Sequence, residues 1–256
     1  MEPPLSDRLL AGGSFLTTAT VGAVGYALVL TTLWRFRAQF HRESDFYVLV
    51  WTLAAGDCLM LLAQFTVAAP LSLAGLPLYG RGTTLFVLTS VDYFGFEIRF
   101  FSSLAIGLHR FLCFVHPGLH RRLFGDGRIF WWSAAVVLLT AFDLVNDLLV
   151  GVRFTFHHDR FHFEATRVNL SRAGERWLED WGLTALEAAR LAVFDYCPLV
   201  NFALYVGTYV LIKTRLSSIG ASSGVVWTVG RRHRLEKQLL LQGFLICLGA
   251  IFRTYS

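Results

Sequence analysis

Leu108-His109-Arg110-Phe111-Leu112-Cys113-Phe114-Val115-His116-Pro117 closes an apolar run that starts near Gly82. The run meets a charge, then an aromatic, a short apolar stretch and a His-Pro break. An arginine at such a boundary keeps its stem in apolar surroundings and its head in a polar layer. Pro117 cannot continue the helix, so a loop is expected from there. Counting back at roughly 100° per residue puts Ser103, Arg99 and Asp92 on the face of Arg110. A stripe of Asp, Arg, Ser and Arg on an aromatic, apolar helix cannot face lipid. It has to face other helices or a water-filled cavity.

The rest of the chain supports a membrane reading. Of its 256 residues, 55% are hydrophobic and only 16% are charged, and mean hydropathy is +0.52. That is too apolar for a soluble domain of this length. The pI near 9.2 does not call for a nucleic-acid partner, because basic cytosolic loops produce the same bulk value. The first fourteen residues do not read as a cleavable signal peptide. The first apolar run is expected to act as its own anchor. Cys58, Cys113, Cys197 and Cys247 all lie in or beside apolar segments, so no disulfide framework is expected.

The expected fold is all-α, a polytopic transmembrane helix bundle in one domain spanning residues 1–256. Six spans are expected, at about 14–34, 46–69, 82–111, 129–150, 183–212 and 235–256. The second is expected to end at Pro70. The stretch around His157-His158-Asp159-Arg160 is flanked by alternating segments, Arg153 to Phe156 and Phe161 to Glu164, and reads as a β-hairpin. His157, His158, Asp159 and His162 lie close together there and are of metal-ligating types, but one short cluster is weak evidence for a metal site. With the N-terminus outside, thirteen Lys and Arg fall in the inside loops and seven outside. The positive-inside rule favours that orientation. It also puts the Asn169-Leu170-Ser171 sequon in the lumen, where Asn169 can be glycosylated.

Several of these residues carry a family pattern. Arg110, Phe111 and His116-Pro117 resemble the Asp-Arg-Tyr and His-Pro end of the third helix of rhodopsin-like seven-helix receptors. His109 stands where those receptors have an acid. Leu53-Ala54-Ala55-Gly56-Asp57 resembles their Leu-Ala-x-x-Asp, Pro198 their helix-five proline, and Phe244 to Cys247 their Phe-x-x-Cys. The departures are as specific. The helix-one Gly-Asn falls on Gly25-Tyr26, the helix-three cysteine on Leu85 and the helix-five tyrosine on Val206. No segment before Ser256 reads as a seventh helix. Together with Leu240 to Gly243, these departures make the chain resemble the divergent nematode serpentine chemoreceptors of the Srx, Srt and Srw kinds.

The resemblance implies a small-molecule ligand entering from outside and a heterotrimeric G protein meeting Arg110, His109 and Phe111 at the cytosolic face of the plasma membrane. It implies a ligand site near Asp92 and Phe96, with Arg253 close by. The simpler reading of Asp92, a salt bridge with Arg190 or Arg253, is the favoured one. Asp57 and Arg99 come to the same depth, about 15 Å from their helices' inner ends, at mid-membrane. An Asp57–Arg99 ion pair is therefore expected, in place of the sodium ion that the family holds there. The alternative is Arg99 pairing with Asp143 or Asp147. A second functional reading is a six-helix transporter or channel lined by these charges. No enzyme, metal or cofactor is expected: His116 and His120 resemble half of a di-iron box, but the His157 cluster lies across the membrane from them.

Overall fold

The computed structural model describes residues 3–35, 37, 46–76, 78–79, 83–125, 127–149, 152–157, 160–167, 196–211 and 213. Helix α1 runs over Leu5–Arg35, α2 over Tyr47–Ala74, α3 over Thr83–Val115, α4 over Pro117–Phe124 and α5 over Arg128–Leu149. Strands β1 (Val152–His157) and β2 (His162–Arg167) follow, then α6 (Tyr196–Leu211). Among the described residues four helices, α1, α2, α3 and α5, are long and apolar enough to cross a membrane. These residues group into two compact units. One is drawn from Met1–Ser102 and Phe130–Trp181, the other from Ser103–Ile129 and Gly182–Ser256.

In the first unit, α1 starts well before its apolar run. Pro3 and Pro4 stand just ahead of it, where missing amide donors cost nothing, and Asp7 sits in its first turn. Arg8 reaches across to the end of α2, donating to the carbonyls of Leu73 (2.8 Å) and Ala74. Those carbonyls are orphaned by the helix end. Gly75, at φ 63°, turns the chain out of the helix there.

Helix α2 does not stop at Pro70. It passes through one π-helical turn, Gln64–Ala68, and continues to Ala74. Proline lacks the amide that would bond the carbonyl four residues back, which is Thr66. The Tyr79 hydroxyl donates to the Thr66 carbonyl instead. A membrane helix tolerates proline when the freed carbonyl finds such a partner.

Two glycines bring α2 and α3 to backbone contact. A Cβ on Gly56 would stand 2.8 Å from the Gly95 carbonyl oxygen, and one on Gly95 would stand 2.7 Å from the Gly56 carbonyl oxygen. Small residues at a crossing allow this approach. Thr52 and Ser133 share a hydrogen bond between α2 and α5.

The β1–β2 hairpin pairs antiparallel, from Val152 opposite Arg167 to His157 opposite His162. It seats where α2 ends and α3 begins. Phe156 packs with Val67, Ala68 and Leu71, and Leu85 and Phe15 pack against that cluster. Leu85 is the position matching the family's helix-three cysteine. Apolar packing ties the loop to α3 at that position, and among the described residues Cys58, Cys113 and Cys197 are free thiols.

Candidate functional site

One buried polar cluster in the first unit centres on Asp57, 7% exposed on α2. Arg99 Nε of α3 lies 3.3 Å from Asp57 Oδ1. The Tyr26 hydroxyl of α1 donates to Asp57 Oδ2. Three helices thus converge on one carboxylate, with one positive charge and one neutral donor. The Gly56–Gly95 contact makes this possible: it sits one residue from Asp57 and one turn from Arg99. Tyr26 occupies the place of the family's helix-one asparagine. A longer side chain with a hydroxyl at its end reaches the same carboxylate.

A second buried group lies on α3 and α5. Glu97 is fully buried and shares a hydrogen bond with Asp143, and Asp147, 3% exposed, stands close enough to act on Glu97 electrostatically. Asp143 is thus engaged with Glu97, while Arg99 is engaged with Asp57.

Asp92 is 3% exposed beneath the hairpin. Thr89, one turn outward, donates to the Phe154 carbonyl at 2.6 Å. Tyr93 stacks on the Phe154 ring with centroids 4.2 Å apart. Phe96, one turn inward, is half-buried, with its ring 6.1 Å from that of Phe100. His157 and His162 stack across the strands at 5.7 Å. Arg253, Arg190, Asn169 and His158 lie outside the described residues.

In the second unit, Arg110 lies in the last turns of α3, five residues before its end at Val115. Its guanidinium lies 5.8 Å from the centre of the Tyr205 ring on α6. The Phe111 ring meets Gly207. The family spacing points to Val206, one residue away, and so misses Tyr205. A buried tyrosine among apolar neighbours on α6 was the available signal.

Helix α3 continues past Phe111 to Val115, because nothing breaks it before His116. Pro117 does not open a loop. It occupies the first turn of α4, where its fixed φ favours a helix start. His116 caps that helix, its Nδ1 accepting from the Leu119 amide at 3.1 Å. His109, in the place of the family's acid, meets His120 of α4 with Nε2 atoms 3.0 Å apart. The Phe124 ring packs against both, at 4.9 Å and 5.7 Å. This pair fastens α4 to α3 and presents Arg121 and Arg122 in its last turn.

The His109–His120 bond needs a donor ring and an acceptor ring, so at least one must be neutral. Burial lowers the pKa of His120. Its other surroundings are cationic or titratable to cations: His109 and Arg110 from α3, His116 at the cap, and Arg121 and Arg122 on α4. The folded value therefore lies below the unfolded one, about 6.5. Docking of α4 is complete above that pH and weakens as pH falls below it. Amide hydrogen exchange in α4, corrected for intrinsic rates, should be slower at pH 7.5 than at pH 5.5. In His120→Phe the difference should vanish. Equal protection at both pH values in the wild-type chain would refute the latch.

Among the described residues, four helices long and apolar enough to cross a membrane, with buried charges paired between them, mark a multi-pass membrane protein. The family described as serpentine type 7TM GPCR chemoreceptor Srx matches residues 19–256, and the chain belongs to that family. It is a family of receptors, not of enzymes. Among curated proteins none matches the chain.

Proposed function

We propose that the chain is a plasma-membrane chemoreceptor that binds a small extracellular ligand near Asp92 and signals to a heterotrimeric G protein through Arg110. The N-terminus is outside and Asn169 faces the lumen, following the thirteen-to-seven charge bias. The observation that carries the reading is the inner end of α3. There Arg110 rests against Tyr205, flanked by the His109–His120 contact and the basic end of α4. Phe111 belongs to the same surface. Asp92 and Phe96 lie one turn apart on α3, and Tyr93 between them stacks on Phe154. A carboxylate beside aromatic faces suits a cationic ligand. Ligand binding shifts a pre-existing equilibrium between inactive and active packings.

A nucleotide-exchange assay tests this. The chain in lipid nanodiscs should raise GTP-analogue loading of a purified G protein above empty nanodiscs, because His109 cannot lock Arg110 as the family's acid does. Small amines should raise it further. Arg110→Ala should lower both by at least tenfold, and Asp92→Asn should weaken amines more than neutral compounds. An amine response that survives Arg110→Ala rejects the coupling role. Solute flux through liposomes holding the chain, with no exchange activity, favours the transporter or channel reading.

A further inference from the structure

Helix α6 meets the inner end of α3 along a polar seam. Ser103, Gly107 and Arg110 follow one face of α3, and Asn201, Tyr205 and Thr208 follow one face of α6 at the same intervals. Asn201 Nδ2 donates to Ser103 Oγ at 2.7 Å. A Cβ on Gly107 would stand 2.4 Å from Asn201 Oδ1 and 3.7 Å from Leu204 Cδ1. Further in, Tyr205 faces Arg110, and a Cβ on Gly207 would stand 3.3 Å from the Phe111 ring. The partner numbers rise together, so the two segments run parallel.

These contacts differ in what they can specify. Apolar side chains between membrane helices gain little over lipid and allow sliding. A cation over a ring at 5.8 Å tolerates a wide range of positions. The amide–hydroxyl bond is short and directional. Asn201 is 6% exposed, and its Oδ1 has no hydrogen-bond partner among the described residues, so the Ser103 bond is its anchor. Sliding α6 one turn, about 5.4 Å, toward the cytosol would set Asn201 against Gly107 and Phe111, which offer no hydroxyl. Gly107 is the notch that admits the amide, because any side chain there would occupy its place.

We infer that Asn201 is a positioning residue: its bond to Ser103 over the Gly107 notch sets the register of α6 on α3 and so holds Tyr205 over Arg110. The bearing on signalling rests on the proposed coupling role of Arg110; the register does not.

Cross-linking reads the register without a G protein. In a chain with Cys58, Cys113, Cys197 and Cys247 changed to alanine, Phe111→Cys and Gly207→Cys are joined by a short bifunctional thiosulfonate. Loss of maleimide-polymer labelling follows the reaction. Asn201→Leu and Ser103→Ala should each slow cross-linking at least fivefold. Ser103→Thr, which keeps the acceptor hydroxyl while adding bulk, should stay within twofold of the parent. Thr52→Cys with Ser133→Cys, in a parallel preparation, reports whether the first unit is folded. If Asn201→Leu loses that control reaction too, Ser103→Ala against Ser103→Thr decides alone. Parental rates in Ser103→Ala, or equal slowing in Ser103→Ala and Ser103→Thr, would overturn the inference. Slowed cross-linking with unchanged nucleotide exchange would leave the register standing and remove the coupling role instead.

Discussion

Arg99→Gln should lower the melting temperature of the chain in nanodiscs by roughly 9 °C. Removing one partner of a buried ion pair costs about 3–5 kcal/mol, because the other charge is left uncompensated. The lower end applies here, since the Arg99 side chain keeps 28% exposure against 10% for Asp57. For a chain of this size each kcal/mol moves the melting temperature by about 2–4 °C. Asp57→Asn should cost a similar amount, with Arg99 then the orphan. The double variant should regain most of the loss, since two neutral side chains can hydrogen-bond at the same place. Tyr26→Phe removes one neutral donor and should cost only about 1 kcal/mol. Thermal melts of the four proteins give the coupling energy directly. Additive losses in the double variant would mean that Asp57 and Arg99 act independently.

The second large effect is expected at the α2–α3 crossing. Gly95→Leu should abolish recovery of monodisperse protein. Its side chain would have to enter space held by the Gly56 carbonyl and the Met60 amide nitrogen, 2.7 Å and 3.0 Å from the new Cβ. Those atoms are backbone, so only separating the helices makes room. Gly95→Ala should be recoverable but destabilised by about 2 kcal/mol, the usual cost of overpacking. The same separation would pull Asp57 away from Arg99. Gly25→Ala serves as the control. Its added methyl meets nothing within 4 Å, and alanine is the better helix former. A Gly95→Ala protein that melts with Gly25→Ala would show that the crossing is not tight.

Four membrane-length helices are legible because long apolar runs leave few alternatives, and the pairing of Asp57 with Arg99 follows from helix rise. The expected span at 235–256 and residues 183–195 of the fifth lie outside the described residues. The hairpin was legible from alternation around His157 to Arg160. What was hidden depends on partners distant in sequence. Continuation of α2 past Pro70 needs the Tyr79 hydroxyl. The role of Tyr26 is hidden because a tyrosine at an asparagine position reads as a missing residue. Tyr205 lies one position from the family's tyrosine, and helix rotation brings it, not Val206, to Arg110. Helix α4 is short and polar, so it reads as a loop. His120 gains meaning only once α4 folds back to place it beside His109. The Glu97–Asp143 contact is hidden because two acids read as repelling each other and not as partners.

Arg99 supplies the positive charge that balances Asp57. Melting temperature against sodium concentration, at constant ionic strength with potassium or N-methylglucamine replacing sodium, tests it most directly. The wild-type chain should melt at the same temperature across the whole series, because Arg99 already supplies the positive charge at Asp57. A melting temperature that rises with sodium in the wild-type chain would mean that an ion binds at Asp57, contradicting the account.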